Sequence, residues 1–209
     1  MSYVCKYGRR DLSISFTCNT KWYAIAKEHM PGQSADDRVD LIARVCYLKL
    51  GKLMDLISKS QVFGAVCCHM NTIEWQKRGQ RHAHIIIWLC DKIGGTEIDH
   101  LISAEIPYPS ADSELYETLT TNMIHGPCGS HCNYTSCPIS DGKCTRQYPR
   151  DFVSETITGS DGYPLYRRRS SAEGGFTAVV KGHQVDNRWV APYSPLQTKA
   201  FNAHINVEY

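Results

Sequence analysis

Two histidines one residue apart, His82 and His84, open the apolar run "RHAHIIIWL". In an extended strand alternate side chains share a face. His82, His84, Ile86 and Trp88 therefore point one way, while Ala83, Ile85, Ile87 and Leu89 point the other way, into a core. Paired imidazoles on one strand face are a good start for a metal site, although half-exposed histidines near a turn would look the same in sequence. A carboxylate lies within reach. If the preceding strand returns over the five-residue loop Lys77 to Arg81, Gln76 sits opposite His82 and Glu74 opposite His84. By parity all four side chains then share one face. Two imidazoles and the Glu74 carboxylate suit Mg²⁺ or Mn²⁺, and three protein ligands leave positions open for water or substrate.

A second set has the spacing of a structural zinc site. His125, Cys128, Cys137 and Cys144 form H-x2-C-x8-C-x6-C within a segment rich in Gly and Pro and lacking apolar periodicity. Short ligand spacing in such a loop fits Zn²⁺, whose binding substitutes for a missing core. His131 and Cys132 are the alternative ligands there, whereas Cys46, Cys67, Cys68 and Cys90 lie in apolar patterns and read as core. The N-terminus "MSYVCKYGRR" lacks a signal-peptide apolar region, and no apolar run approaches the length of a membrane span. The expectation is a nuclear or cytosolic chain, not secreted and without a membrane partner, whose ten cysteines stay reduced.

Lys and Arg number 23 against 21 Asp and Glu, so global charge does not announce a nucleic-acid binder. Local segments do: "QKRGQR" (76–81), "YRRR" (166–169) and Arg188–Trp189. From these, Gln76, Arg78, Arg167, Arg168 and Arg188 are candidates for DNA contact, set against the ordinary reading of a solvated basic face. Trp88 and Trp189 suit base stacking or core packing equally.

The elements that must position these groups follow from periodicity. Residues 11–19 alternate as a strand, with Leu12, Ile14, Phe16 and Cys18 on one face. Ser34 to Asp37 supply helix-start chemistry for a helix over 36–58, with an apolar stripe of Ile42, Val45, Cys46, Leu53, Leu56 and Ile57. Strands are predicted over 62–76 and 82–90, short helices broken at "IPYPS" over 96–123, and short strands with turns at "GSDGYP" and "EGG" over 151–209. Three segments result: a core over 1–124, a Cys/His segment over 125–150 and a β-rich part over 151–209.

In order, "DLSISFTCNTKW", "DDRVDLIARV", "TIEWQKRGQRHAHIIIWL", "MIHGPCG", "DGKCTRQYPRDF", "DGYPLYRRR" and "VDNRWVAPYSP…NAHINVE" resemble the N-terminal replication-initiator region of Helitron transposases. That family belongs to the HUH endonucleases, named for two histidines flanking a bulky apolar residue; Helitrons often carry Ala there, as at Ala83. The resemblance implies an α+β fold of HUH/Rep type, a central antiparallel sheet with flanking helices, here with a Cys-rich zinc-binding loop subdomain. It implies His82 and His84 as metal ligands, completed by Glu74 eight positions before the first histidine, with Thr17 and Asn19 in a motif beside the site. The implied chemistry is metal-dependent nicking and rejoining of single-stranded DNA in rolling-circle transposition, a tyrosine becoming joined to the DNA 5′ end. The family's two tyrosines, four apart on a helix after "NAHINVE", do not follow within this chain, which ends at Tyr209, nor does the helicase. The expectation is a chain that holds metal and single-stranded DNA but has no catalytic nucleophile of its own, with a full-length Helitron transposase as a partner. The rivals are a domesticated or relic DNA-binding module and a metal-dependent hydrolase using activated water.

Overall fold

A computed structural model of the protein describes residues 6–75, 80–95, 97–126, 128, 137, 139–141, 143–159 and 162–209. In chain order the elements are β1 (Leu12–Thr17), α1 (Tyr23–Ala26), α2 (Val39–Ser58), β2 (Val66–Trp75), β3 (Arg81–Leu89), α3 (Ile98–Leu101), α4 (Ser113–Asn122), β4 (Ile139–Ser140), β5 (Lys143–Cys144), β6 (Ile157–Thr158), β7 (Pro164–Leu165), β8 (Ala178–Val180), β9 (His183–Val185), α5 (Pro195–Phe201) and β10 (His204–Glu208). The class is α+β, as expected. The chain divides into two compact units, residues 1–94 with 196–209, and residues 95–195. This partition cuts the chain elsewhere than the boundaries at 124 and 150 that composition suggests, because strand pairing joins segments distant in sequence.

The first unit is built on an antiparallel sheet of order β10-β1-β3-β2. Period-two alternation decides its faces. Leu12, Ile14, Phe16, Ala83, Ile85, Ile87, Ile205 and Val207 are buried on one side. Helix α2 supplies a buried stripe of Ile42, Cys46, Leu50, Leu53 and Ile57, spaced by three, four and seven residues as one helical face requires. It begins after a 3₁₀ turn over Ala35–Arg38, started by Ser34, whose backbone N–H and hydroxyl both donate to Asp37 Oδ2 (2.8 and 2.7 Å). Val45 and Leu56 lie at the margin of the stripe rather than in it. Phe16 stacks on Trp22 (6.0 Å) and meets Phe201 of α5 edge-on (6.2 Å), while Trp22 Nε1 donates to Phe201 O (2.7 Å). These contacts bring the last strand back beside the first. The segment 195–208 was expected as short strand and turn; α5 and the pairing of β10 with β1 replace that reading.

The second unit packs Ile106, Leu115, Leu119, Met123, Ala178, Val185, Val190, Ala191 and Tyr193 into its own core. Helix α4 is capped by Asp112, whose side chain accepts from Leu115 N (3.0 Å). The two turns read from sequence are present: Gly162 (φ 78°) lies between β6 and β7, and Gly174 (φ 87°) ends a short 3₁₀ helix. Gly175 is required for another reason, since a Cβ there would sit 2.1 Å from Arg169 O.

Candidate functional site

The β2–β3 hairpin and β1 together place the paired histidines. Thr17 and Glu74 flank His82 directly across the sheet, and Ser15 and Thr72 flank His84. The expected register had Gln76 opposite His82 and Glu74 opposite His84. The observed one is shifted by two residues: Glu74 pairs with His82 and Trp75 with Arg81. A shift of two preserves the face, so Glu74 still reaches the histidines. Its Oε1 lies 3.3 Å from His84 Nε2, and one ligand atom each from Glu74, His82 and His84 fall within 4.8 Å of one another.

The environment of the three is graded. His82 is buried, whereas the His84 and Glu74 side chains keep 47% and 58% of their surface. Such a site has a fixed inner wall and an open mouth. His82 Nδ1 shares a 2.8 Å hydrogen bond with the Thr17 hydroxyl, and His84 Nδ1 lies 3.4 Å from Ser15 Oγ. Each ring is thus oriented through Nδ1, as ligating histidines are by their outer partners, and His84 turns its Nε2 toward Glu74. The rings meet edge to face at 4.5 Å. One carboxylate and two imidazoles so arranged form a donor set for a divalent cation, with room for oxygen ligands from outside the protein. Thr17, expected beside the site on resemblance, takes part through this hydrogen bond. Asn19 has a different part: its Nδ2 donates to Asn202 O (2.7 Å) and its Oδ1 accepts from Lys21 N (2.9 Å), which braces the end of β1 against the approach to β10. His204, for which sequence reasoning has no role, pairs with Thr17, so the row His204, Thr17, His82, Glu74 crosses all four strands.

The second cluster also comes together. His125 Nε2 lies 3.3 Å from Cys128 Sγ and 3.4 Å from Cys144 Sγ, and Cys137 Sγ lies 3.3 Å from Cys144 Sγ. All four ligand atoms fall within 4.8 Å of one another. Ligands at about 2.3 Å from a tetrahedral ion stand about 3.8 Å apart, so little movement separates this set from a closed zinc site. This His/Cys group could hold a metal such as zinc. His125 is held by its backbone N–H donating to Trp189 O (2.8 Å) and by stacking on Tyr148 (4.3 Å between centroids). Burial, then the nearby Arg146 and Arg150, push its imidazole below the usual range, which keeps the ring neutral and able to ligate. Burial, with Cys144 and Cys137 alongside, pushes the Cys128 thiol up to about 12. His131 and Cys132, the alternatives, lie outside the described residues.

Several expectations need correction. Arg168 is buried and its Nη1 donates to Asn187 O (2.6 Å), Val190 O (2.7 Å) and Ala104 O (3.4 Å). It braces backbone and is not available to DNA; burial lowers its pKa to about 10. Arg167 reaches Glu105 (3.2 Å) and Asp99 (3.3 Å), and Arg169 forks onto Glu105 (2.7 Å). The basic triplet is therefore largely an internal ion-pair network. Arg188 pairs with Asp186 (2.8 Å) and lies over Phe152 (4.6 Å). Gln76 and Arg78 fall outside the described residues. Trp88 is buried, donating Nε1 to Gly8 O (3.0 Å), so it is core. Cys67, on the edge strand β2, and Cys90, just after β3, are exposed rather than core as read, Cys68 is half-buried, and Cys46 is buried as expected. Contrary to the expectation of a chain without a Tyr-x-x-x-Tyr pair, that spacing occurs at Tyr3 and Tyr7, ahead of the first strand. Tyr3 lies outside the described residues; Tyr7 packs on Trp88 (6.2 Å), six residues along β3 from His82.

Fold and site together define an α+β protein with paired histidines and a carboxylate on one face of a central antiparallel sheet. Residues 1–87 match the family model described as the Helitron helicase-like domain at the N-terminus, in agreement with the resemblance carried by the sequence blocks. The matched segment includes β1, β2 and both histidines of β3. A search of curated proteins found no match.

Proposed function

We propose that the chain is a Helitron-type HUH domain that holds Mg²⁺ or Mn²⁺ at Glu74, His82 and His84 and binds single-stranded DNA there. The observation that carries this reading is the convergence of the three ligand atoms within 4.8 Å, with Thr17 and Ser15 aligned on the two Nδ1 atoms. A divalent ion so held polarises a phosphate and stabilises charge developing on it. The protein's part is to fix the imidazoles through Thr17 and Ser15, and to leave the Glu74 and His84 side open for a backbone phosphate. Strand nicking and joining require a nucleophile as well. Tyr209 lies at the far end of β10 from His204, its hydroxyl donating to Ile93 O (3.2 Å), and Tyr7 is likewise remote. Neither is next to the histidines. On this reading the chain binds single-stranded DNA without either of these tyrosines being placed to join it, in a nucleus where a full-length Helitron transposase is its partner. The His125/Cys128/Cys137/Cys144 group is the structural zinc site of the second unit.

The test is twofold. Calorimetry with Mn²⁺ should show a site that His82→Ala/His84→Ala removes. Binding of a labelled oligodeoxynucleotide should depend on Mn²⁺ and weaken steeply with salt, since phosphate contacts release counterions. A denaturing gel of the same mixture should show no protein–DNA band. Unchanged Mn²⁺ affinity in the double variant overturns the metal assignment, and a covalent band overturns the claim that the chain binds without joining.

A further inference from the structure

Beside the ligand Glu74 stands a side chain that sequence reasoning passes over. Trp75 ends β2, pairs across the hairpin with Arg81, and keeps 47% of its surface exposed. The Arg81 guanidinium lies over its ring at 4.7 Å and also donates to Ala43 O of α2 (3.4 Å). Arg81 therefore covers part of the indole and holds a positive charge against it. The exposed surface that remains is a large, flat, apolar area beside a cation. A nucleobase stacked on an aromatic ring, with its phosphate near a cation, is the ligand that such a pairing accommodates.

The topology makes the placement usable. Trp75 and Glu74 are consecutive, so their side chains project to opposite faces. In an inner strand the two faces are separated by neighbouring strands. Here β2 is the edge of the sheet, and its residues from His69 to Trp75 are exposed on both sides. A single strand anchored by a phosphate at Glu74, His82 and His84 can pass over this free edge and lay its next base on Trp75. The other tryptophans of the first unit, Trp22 and Trp88, are buried and offer no such surface.

We infer that Trp75, backed by Arg81, is a stacking platform for the nucleobase next to the metal-held phosphate. The inference rests on the single-stranded DNA reading above. Oligodeoxythymidine is compared with an abasic oligomer of equal length and charge, in the presence of Mn²⁺. Thymidine oligomers should quench tryptophan emission and abasic ones should not. Trp75→Ala should weaken oligodeoxythymidine binding by about tenfold, the order expected for one stacked base, and leave abasic binding unchanged. The salt dependence should keep its slope, since no phosphate contact is lost, and Mn²⁺ affinity should be unaltered. Trp75→Phe, which keeps an aromatic ring, should retain most of the affinity and lose the quenching.

Equal oligodeoxythymidine affinity in wild type and Trp75→Ala, or quenching that persists in Trp75→Phe, overturns the inference and leaves the proposed function standing. A reduced salt slope or lost Mn²⁺ binding in Trp75→Ala also overturns it, as would self-association that requires Trp75, since the indole would then be a protein contact. If the wild type binds neither oligomer, the functional reading falls and takes this inference with it.

Discussion

Glu105 shows how single residues divide between structure and function in this protein. It is buried, yet it carries a charge that Arg167, Arg169 and Asn187 surround at 3.2, 2.7 and 3.3 Å. Burial alone would raise its pKa; hydrogen bonds and charge from Arg169, with Arg167, more than offset this and hold the carboxyl below its usual range. A depressed carboxyl contributes stability that is present above its unfolded value, about 4.3, and is lost as pH falls through the folded value. Glu105→Gln should therefore cost about 3 kcal/mol at neutral pH, where it takes the carboxylate from Arg169 and leaves Arg167 with Asp99 alone. The gap to wild type should narrow below about pH 4, as the wild-type carboxyl itself takes up a proton. Urea unfolding of both proteins across this range checks it; a gap independent of pH would mean that packing, not charge, carries the effect.

At the scale of elements, β10 decides whether the paired histidines are braced. It pairs with β1 over Ser13–Thr17, and β1 in turn supplies Thr17 and Ser15 to the two imidazoles. Ile205 and Val207 are fully buried on the core face of the sheet. Ile205→Ala should destabilise the first unit by about 3 kcal/mol, within the range for large-to-alanine changes in cores. Mn²⁺ affinity should be retained under conditions where the variant remains folded, because no ligand or oriented hydroxyl is removed. Chemical denaturation followed by calorimetry separates the two effects, and a loss of metal binding in the folded variant would show that β10 positions the ligands directly.

For the whole molecule, the two units carry donor sets of different chemistry that could hold different metals. Carboxylate and imidazole on a hydrogen-bonded sheet need no ion to stay folded, since the strands already satisfy the backbone and the opposite face is buried. The His125, Cys128, Cys137 and Cys144 group joins short hairpins and loops, where a tetrahedral ion contributes folding energy itself. A strong zinc chelator should therefore increase amide hydrogen exchange within residues 95–195 and leave β1, β3 and α2 protected. Cys137→Ser should reproduce that pattern without chelator. Equal loss of protection in both units, or none in the second, would refute a structural zinc ion.

What the sequence determined by itself is what depends on parity and short spacing. Alternation placed His82 and His84 on one face and Ile85 and Ile87 in the core, and an even register shift could not disturb that. H-x2-C and two later cysteines sufficed to propose the second cluster, because its first two ligands are local and Cys137 and Cys144 are only seven residues apart. Tertiary structure alone decided the rest. Whether Arg168 faces solvent or three backbone carbonyls depends on Ala104, Asn187 and Val190, which lie up to 64 residues away in sequence. That β10 returns beside β1 likewise follows from a pairing across nearly the whole chain. Charge and pattern in a short window carry no information about such partners; burial and hydrogen bonding between distant segments do.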